Sequence, residues 1–228
     1  MRIWLADLTY TQQMIASDFV PAAIGMIAEY LENKMPDQPK TKLFKFPENL
    51  SKELQHEEPD LIGFSNYVWN SSLGDAYMKK IKEIYPEIIT VSGGPNFPTT
   101  ENEQLNYLKK KPWIDYYIVK EGEHAFFRLI GELKKKSSID VIAEVPNIVF
   151  LKNDKLYVHK KIERIMDLSA IPSPYLSGKL DSFLDGKLLP IIQTNRGCPF
   201  SCTFCTEGQS YWSKVRPKQK EVIEGEVS

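Results

Sequence analysis

The chain has 228 residues, 42% hydrophobic and 26% charged, which is enough apolar material for a sizeable core in one or two domains. A formal net charge of −1 offers no global attraction to nucleic acid or to an anionic membrane, and no stretch approaches the roughly 18 apolar residues of a membrane span. Met1 to Tyr10 lacks a signal-peptide core. The three cysteines, all within eight positions, do not suit a secreted disulfide framework, so a cytoplasmic protein is expected.

In chain order, Ile3 to Leu8 reads as a buried strand. Ala22, Ala23, Met26, Ile27, Tyr30 and Leu31 recur at helical spacing, with Pro21 tolerated in the first turn. Thr41 to Phe46 and Leu61 to Ser65 are the second and third strands. Leu73, Ala76, Tyr77, Ile81, Ile84 and Tyr85 mark an amphipathic helix stopped by Pro86. Ile88 to Val91 is a fourth strand, ending in Ser92-Gly93-Gly94-Pro95. A polar helix follows over Thr100 to Lys110. Tyr116 to Val119 is a fifth strand, and Glu121-Gly122-Glu123 leads into a helix with Phe126, Phe127, Ile130 and Leu133. The Lys134-Lys135-Lys136 run is a solvated helix end. This alternation predicts an α/β fold with a doubly wound, five-stranded parallel sheet in the order 2-1-3-4-5, over residues 1–137.

Beyond it the pattern changes. Asn147 to Leu151 and Leu156 to His159 flank Asn153-Asp154, a hairpin signal. Ile171-Pro172-Ser173-Pro174 is linker-like, so 138–186 reads as hairpin and linker. Leu188 to Ile192 reads as a new buried strand opening a second unit at 187–228, with a helix over Glu221 to Glu226. Only about 36 residues follow that strand. That is too few for another α/β domain, so a truncated protein is expected.

Ligands of a doubly wound sheet bind at the carboxyl ends of its strands. The candidates there are Asp7, Thr9, Ser65, Asn66, Ser92, Gly93, Gly94, Glu121 and Gly122. The first turn lacks G-x-G-x-x-G, which removes the main support for a dinucleotide. Gly93 and Gly94 permit either a bulky ligand or a tight turn. Tyr67, Trp69 and Tyr77 read as packing residues, and His124 as part of a helix's first turn.

The sharpest feature is Cys198-Pro199-Phe200-Ser201-Cys202-Thr203-Phe204-Cys205, a CxxxCxxC spacing. Thiolates are the preferred ligands of iron–sulfur clusters. Three on one short loop hold three irons of a cubane and leave the fourth open. A structural zinc site would need a fourth ligand, and His56, His124 and His159 are all distant in sequence.

This stretch resembles the signature of the radical S-adenosylmethionine superfamily, with Phe204 before the last cysteine and the flanks Arg196-Gly197-Cys198-Pro199 and Val215-Arg216-Pro217. The resemblance implies a [4Fe–4S] cluster on Cys198, Cys202 and Cys205, with S-adenosylmethionine on the open iron cleaved to a 5′-deoxyadenosyl radical. It also implies that Phe204 shields the cluster or packs near the adenine, and that 187–228 begins a partial (β/α)6 barrel whose first strand precedes the cysteines. The first domain resembles the cobalamin-binding domain that precedes many such modules. The matching elements are Pro21…Gly25…Tyr30-Leu31, Gly63-Phe64-Ser65, Ser92-Gly93-Gly94-Pro95 and Glu121-Gly122-Glu123. Domains with a histidine lower ligand carry D-x-H-x-x-G after strand one. Here Asp7 is followed by Leu8 and Thr9, with Gln12 in the glycine place, so cobalamin would bind without that ligand.

The function implied is a cobalamin-dependent radical enzyme, a C-methyltransferase acting on a small-molecule substrate. Alternatives are radical cyclisation or rearrangement, and a non-catalytic cobalamin- or metal-binding fragment. A methylthiotransferase is disfavoured, because no cysteine precedes Cys198. The chemistry implies a flavodoxin- or ferredoxin-type electron donor, and neither nucleic acid nor membrane is an expected partner.

Overall fold

The computed structural model describes residues 1–12, 16–159 and 163–228. Its first half alternates strand and helix: β1 (Ile3–Ala6), α1 (Ala22–Lys34), β2 (Thr41–Phe44), α2 (Pro47–Leu54), β3 (Leu61–Ser65), α3 (Ser71–Ile84), β4 (Ile89–Gly93), α4 (Glu101–Lys109), β5 (Tyr116–Ile118) and α5 (Glu123–Lys134). The five strands are parallel in the expected order β2-β1-β3-β4-β5.

Alternation along each strand sends side chains to two opposite cores. Ile3, Leu5, Leu61, Val91 and Ile118 join Ala28, Leu31, Ala125 and Leu129 of α1 and α5. Trp4, Ala6, Ile62, Phe64 and Tyr117 join Leu50, Met78, Ile81 and Leu108 of α2, α3 and α4. Strands covered on both faces need apolar residues at both parities, which is why they read as unbroken apolar runs. Pro21 stands just before α1 as its cap residue, one place earlier than expected. Thr100 caps α4, its hydroxyl accepting the Glu103 N–H.

The sheet continues past residue 137. After the short α6 (Ile139–Ala143), β6 (Ile148–Lys152) and β7 (Lys155–Val158) form the expected hairpin. Asn153 and Asp154 both hold positive φ, 51° and 58°, the backbone that a two-residue turn of this hand needs. β6 pairs antiparallel with β5, Ile118 opposite Ile148, making a seven-stranded sheet. Ile148 and Phe150 enter one core and Val149 the other.

Leu188 to Ile192 differs from expectation. It forms only a single isolated parallel bridge, Leu189 to Phe19, outside any strand, and Leu189 and Ile191 stay about half exposed. A strand is made by its neighbours, and this segment has no second one among the described residues. Leu188 instead closes a small cluster with Val20, Leu180 and Phe183. The two-residue strands β8 (Asn195–Arg196) and β9 (Arg216–Pro217) then pair antiparallel and enclose the cysteine segment, and α7 (Lys220–Val227) follows. Among the described residues no helix is long and apolar enough to cross a membrane.

Candidate functional site

The carboxyl ends of β1, β2 and β3 meet in one polar network. Asp7 accepts from Lys45 Nζ at 2.9 Å, from Asn70 Nδ2 at 3.2 Å and from the Ser65 hydroxyl. Asn70 also donates to Ser65 Oγ at 3.0 Å. Lys45 and Asn70 are each 1% exposed, so the network forms the floor of the edge. Thr9 is buried beside it, its hydroxyl accepting the Ser17 N–H at 2.8 Å. Asp7, Ser65 and Thr9 thus lie together at this edge. Lys45 and Asn70 were missed. Lys45 falls within the expected second strand, where its charge argues against burial unless its partner, 38 positions earlier, is known.

Above this floor the turn after β3 carries Tyr67 and Trp69, stacked at 4.6 Å. Trp69, Val68 and Tyr10 are exposed, so the rim presents flat apolar surface. Burial, with Asp7 and Glu123 nearby, pushes the Tyr67 phenol above its ordinary pKa.

Asn66 has a different role. Its buried amide donates to Asn96 O at 2.9 Å and to the hydroxyls of Tyr107 and Tyr117, both at 3.0 Å. It thereby ties the β3 turn to the β4 turn. Gly94 is demanded by that junction: its φ is +132°, and a Cβ there would lie 2.6 Å from Asn66 O. Tyr117 completes the tie by donating to Gly94 O at 2.9 Å. A Cβ on Gly93 would make only ordinary contacts with Ile118. Ser92, in register with Phe64 and Tyr117, is 1% exposed, and its hydroxyl has no partner among the described residues. A buried hydroxyl without a partner costs free energy unless a ligand supplies one.

At the end of β5 the carboxylates face the cysteine segment. Glu121 is bonded through both oxygens to Arg216 and accepts the Ile165 N–H at 2.7 Å. Glu123 receives Arg196 in two bonds of 2.7 and 3.2 Å. Gly122 between them lies against α1, where a Cβ would stand 3.0 Å from Ile27 Cδ1. The acidic groups are thus occupied by arginines of the cysteine flanks. Burial opposes the charge of Arg196, and Glu123 outweighs it, holding the guanidinium pKa above its ordinary value.

Within the loop, Cys198 is half-buried and donates its N–H to Trp212 O at 2.9 Å, while Cys202 and Cys205 are exposed. Phe204 is 92% exposed. Lys120, just past β5, lies over the rings of Tyr211 and Trp212 at 5.3 and 5.9 Å, and burial lowers its pKa. Among the described residues no three ligand side chains are gathered at metal-binding distance. The donor set nevertheless fits an iron–sulfur cluster: three thiols on one loop, two of them open to solvent. It does not resemble a histidine-completed zinc site. His124 Nδ1 faces Glu163 at 3.0 Å and His159 Nε2 faces Glu144 at 3.7 Å.

The edge also fits a large flat ligand with polar fringes, through its exposed aromatic rim, its polar floor and the orphaned Ser92 hydroxyl. The described residues of the β1–α1 segment hold no imidazole. Comparison with known proteins agrees with this shape. Residues 13–130 match the B12 binding domain. The chain belongs to the B12-binding domain family. It is 32% identical over 176 residues to the cobalamin-dependent radical SAM methyltransferase TokK of Streptomyces tokunonensis, a match covering 75% of this chain and 25% of the relative. It is 27% identical over 223 residues to 2-(S-pantetheinyl)-carbapenam-3-carboxylate methyltransferase of Streptantibioticus cattleyicolor, covering 93% and 32%. Among solved structures, the cobalamin-dependent S-adenosylmethionine radical enzyme OxsB, with aqua-cobalamin and S-adenosylmethionine bound, superposes with a TM-score of 0.74 at 21% identity. That match covers 97% of this chain and 30% of OxsB. The chain therefore spans about a third or less of these relatives, and the shared fold is that of the cobalamin-binding sheet with its flanking loop.

Proposed function

We propose that this B12-binding chain is the cobalamin and cluster-loop portion of a radical S-adenosylmethionine enzyme, and that the whole protein is a C-methyltransferase acting on a small molecule. The observation that carries the reading is the CxxxCxxC loop held, through its flanking arginines, against the edge of a B12-binding sheet. When bound, a [4Fe–4S] cluster of this class supplies the electron that cleaves S-adenosylmethionine to a 5′-deoxyadenosyl radical, and cobalamin supplies a methyl carrier.

The chain's own residues hold and shelter these groups. Cys198, Cys202 and Cys205 would ligate iron through thiolates. Phe204, exposed beside the last of them, offers a ring to exclude water from the cluster. The rim of Tyr10, Val68 and Trp69 would cover one face of cobalamin, the Asp7–Lys45–Ser65–Asn70 floor would fix the loops beneath it, and Ser92 would meet a buried polar group of the ligand. Thr9 stands where a histidine ligand would be, and its hydroxyl is engaged by Ser17, so cobalamin would be held here without an imidazole from that segment. A cytoplasmic setting and a flavodoxin- or ferredoxin-type electron donor complete the reading.

Anaerobic reconstitution tests it. The wild-type chain should take up iron and sulfide with the absorbance of a [4Fe–4S] cluster, and Cys202→Ala should not. Hydroxocobalamin should bind with a spectral change. The full-length gene product should yield 5′-deoxyadenosine and a product heavier by one methyl group. Equal iron in Cys202→Ala would sink the cluster assignment. A product formed without mass gain would replace methyl transfer by cyclisation or rearrangement.

A further inference from the structure

Arg196 and Arg216 are register partners across β8 and β9, the neck from which the cysteine loop, residues 197–215, projects. Two like charges directly opposite destabilise a strand pair, and two residues of ladder cannot hold a loop of that length by themselves. Each guanidinium instead meets its own carboxylate where β5 leads into α5, Glu121 in the connection and Glu123 as the first residue of the helix. Arg196 bonds to Glu123 at 2.7 and 3.2 Å, and Arg216 bonds to both oxygens of Glu121. The four side chains are between 3% and 10% exposed. Planar, doubly bonded pairs of this kind fix orientation as well as distance.

The neck is tight immediately past the clamp. Gly197 has φ of +111°, and a Cβ there would stand 2.5 Å from Lys214 O. Cys198 follows, its N–H bonded to Trp212 O. On the far side Arg164 donates to Lys214 O at 3.0 Å and covers the Tyr211 ring at 5.0 Å. Contacts therefore run from the two glutamates through the arginines to Cys198, whereas Cys202 and Cys205 are exposed.

We infer that Glu121 and Glu123 are positioning residues for the cysteine loop, each clamping one strand of its neck so that Cys198 is held at a fixed place beside the end of β5. The cluster-holding part of this inference rests on the function proposed above, whereas the clamp itself is a property of the metal-free chain.

The experiment is site-resolved alkylation of the three thiols by iodoacetamide in the metal-free 228-residue chain, followed by iron determination after anaerobic reconstitution. Glu123→Gln should raise the Cys198 rate about tenfold or more, because reaction there requires the neck to open, while Cys202 and Cys205 change less than about twofold. Arg196→Gln, made outside the parallel sheet, should do the same and decides the matter where Glu123→Gln fails to fold. The exchange Glu123→Arg with Arg196→Glu should restore slow alkylation. It sets each new charge beside an opposite one, the incoming guanidinium near Glu121 and the incoming carboxylate near Arg216. Iron retained per chain should fall in the single variants and recover in the exchange. Unchanged Cys198 alkylation in the folded variants overturns the clamp, as does equal acceleration at all three thiols. Wild-type iron retention in a variant with fast Cys198 alkylation overturns the positioning role. A wild-type chain that takes no iron defeats the cluster reading alone, because the alkylation pattern still judges the clamp.

Discussion

Lys45 and Asp7 illustrate how a single residue can be costly alone and stabilising in company. Lys45 is 1% exposed and its amine meets Asp7 at 2.9 Å, with Ser17 Oγ farther away at 3.4 Å. Asp7→Ala strands a buried ammonium, and removing one partner of such a pair costs about 3–5 kcal/mol. Lys45→Met leaves Asp7 with Ser65 and Asn70 as donors, so its cost should be closer to about 1–2 kcal/mol. Urea unfolding with an unchanged slope would measure both, and equal losses would contradict the asymmetry. Tyr117 makes a pH-dependent case. Burial pushes its phenol well above the ordinary value, so the unfolded chain loses the proton first as pH rises. The resulting stability is complete below about pH 10 and falls above it by about 1.4 kcal/mol per pH unit until the folded phenol ionises. Tyr117→Phe should lessen the alkaline decline by that single-phenol contribution, the remainder staying with other buried phenols such as Tyr211 and Tyr67. It should also cost about 1 kcal/mol at neutral pH through the bonds lost to Asn66 and Gly94.

At the scale of elements, the β6–β7 hairpin carries more than its length implies. It covers the outer edge of β5 and places Ile148, Val149 and Phe150 in both cores. A chain ending at residue 137 would bare that edge and leave both cores open, a template for strand pairing between molecules. Size-exclusion chromatography should show residues 1–137 as aggregate and residues 1–159 as monomer; a monomeric 1–137 chain would mark the hairpin as dispensable. The hairpin's turn was legible in Asn153-Asp154, but its docking onto β5 was not, because pairing partners leave no local trace. The parallel strands were legible since burial on both faces enforces apolar runs. By contrast α2 went unread: Pro47–Leu54 is short and mostly polar, and only Leu50 is buried. Leu188 to Ile192 misled for the opposite reason, as an apolar run whose strand character depends on neighbours. At the site, the cysteines declared themselves by spacing. The partnership of Arg196 and Arg216 with Glu123 and Glu121 spans 73 and 95 positions and is visible only once the chain is folded.

Across the whole molecule, the carboxyl edge of the sheet carries the polar floor, the aromatic rim and the clamped loop together, so a ligand seated there should be felt by the entire fold. A ligand that binds only the folded chain adds about 2.7 kcal/mol of stability at a hundredfold excess over its dissociation constant. Hydroxocobalamin should accordingly raise the thermal unfolding midpoint of the 228-residue chain. Ser92 separates a specific fit from general stickiness. Its buried hydroxyl has no partner among the described residues, so Ser92→Ala should leave the free chain as stable as before or slightly more so. If that hydroxyl meets the ligand, the same substitution should shrink the cobalamin-induced shift, because about 1 kcal/mol of binding is lost with one hydrogen bond. Calorimetry of both chains with and without hydroxocobalamin reads the two effects separately. A full-sized shift in Ser92→Ala would place the ligand on the rim alone, whereas a reduced one extends the site down to β4.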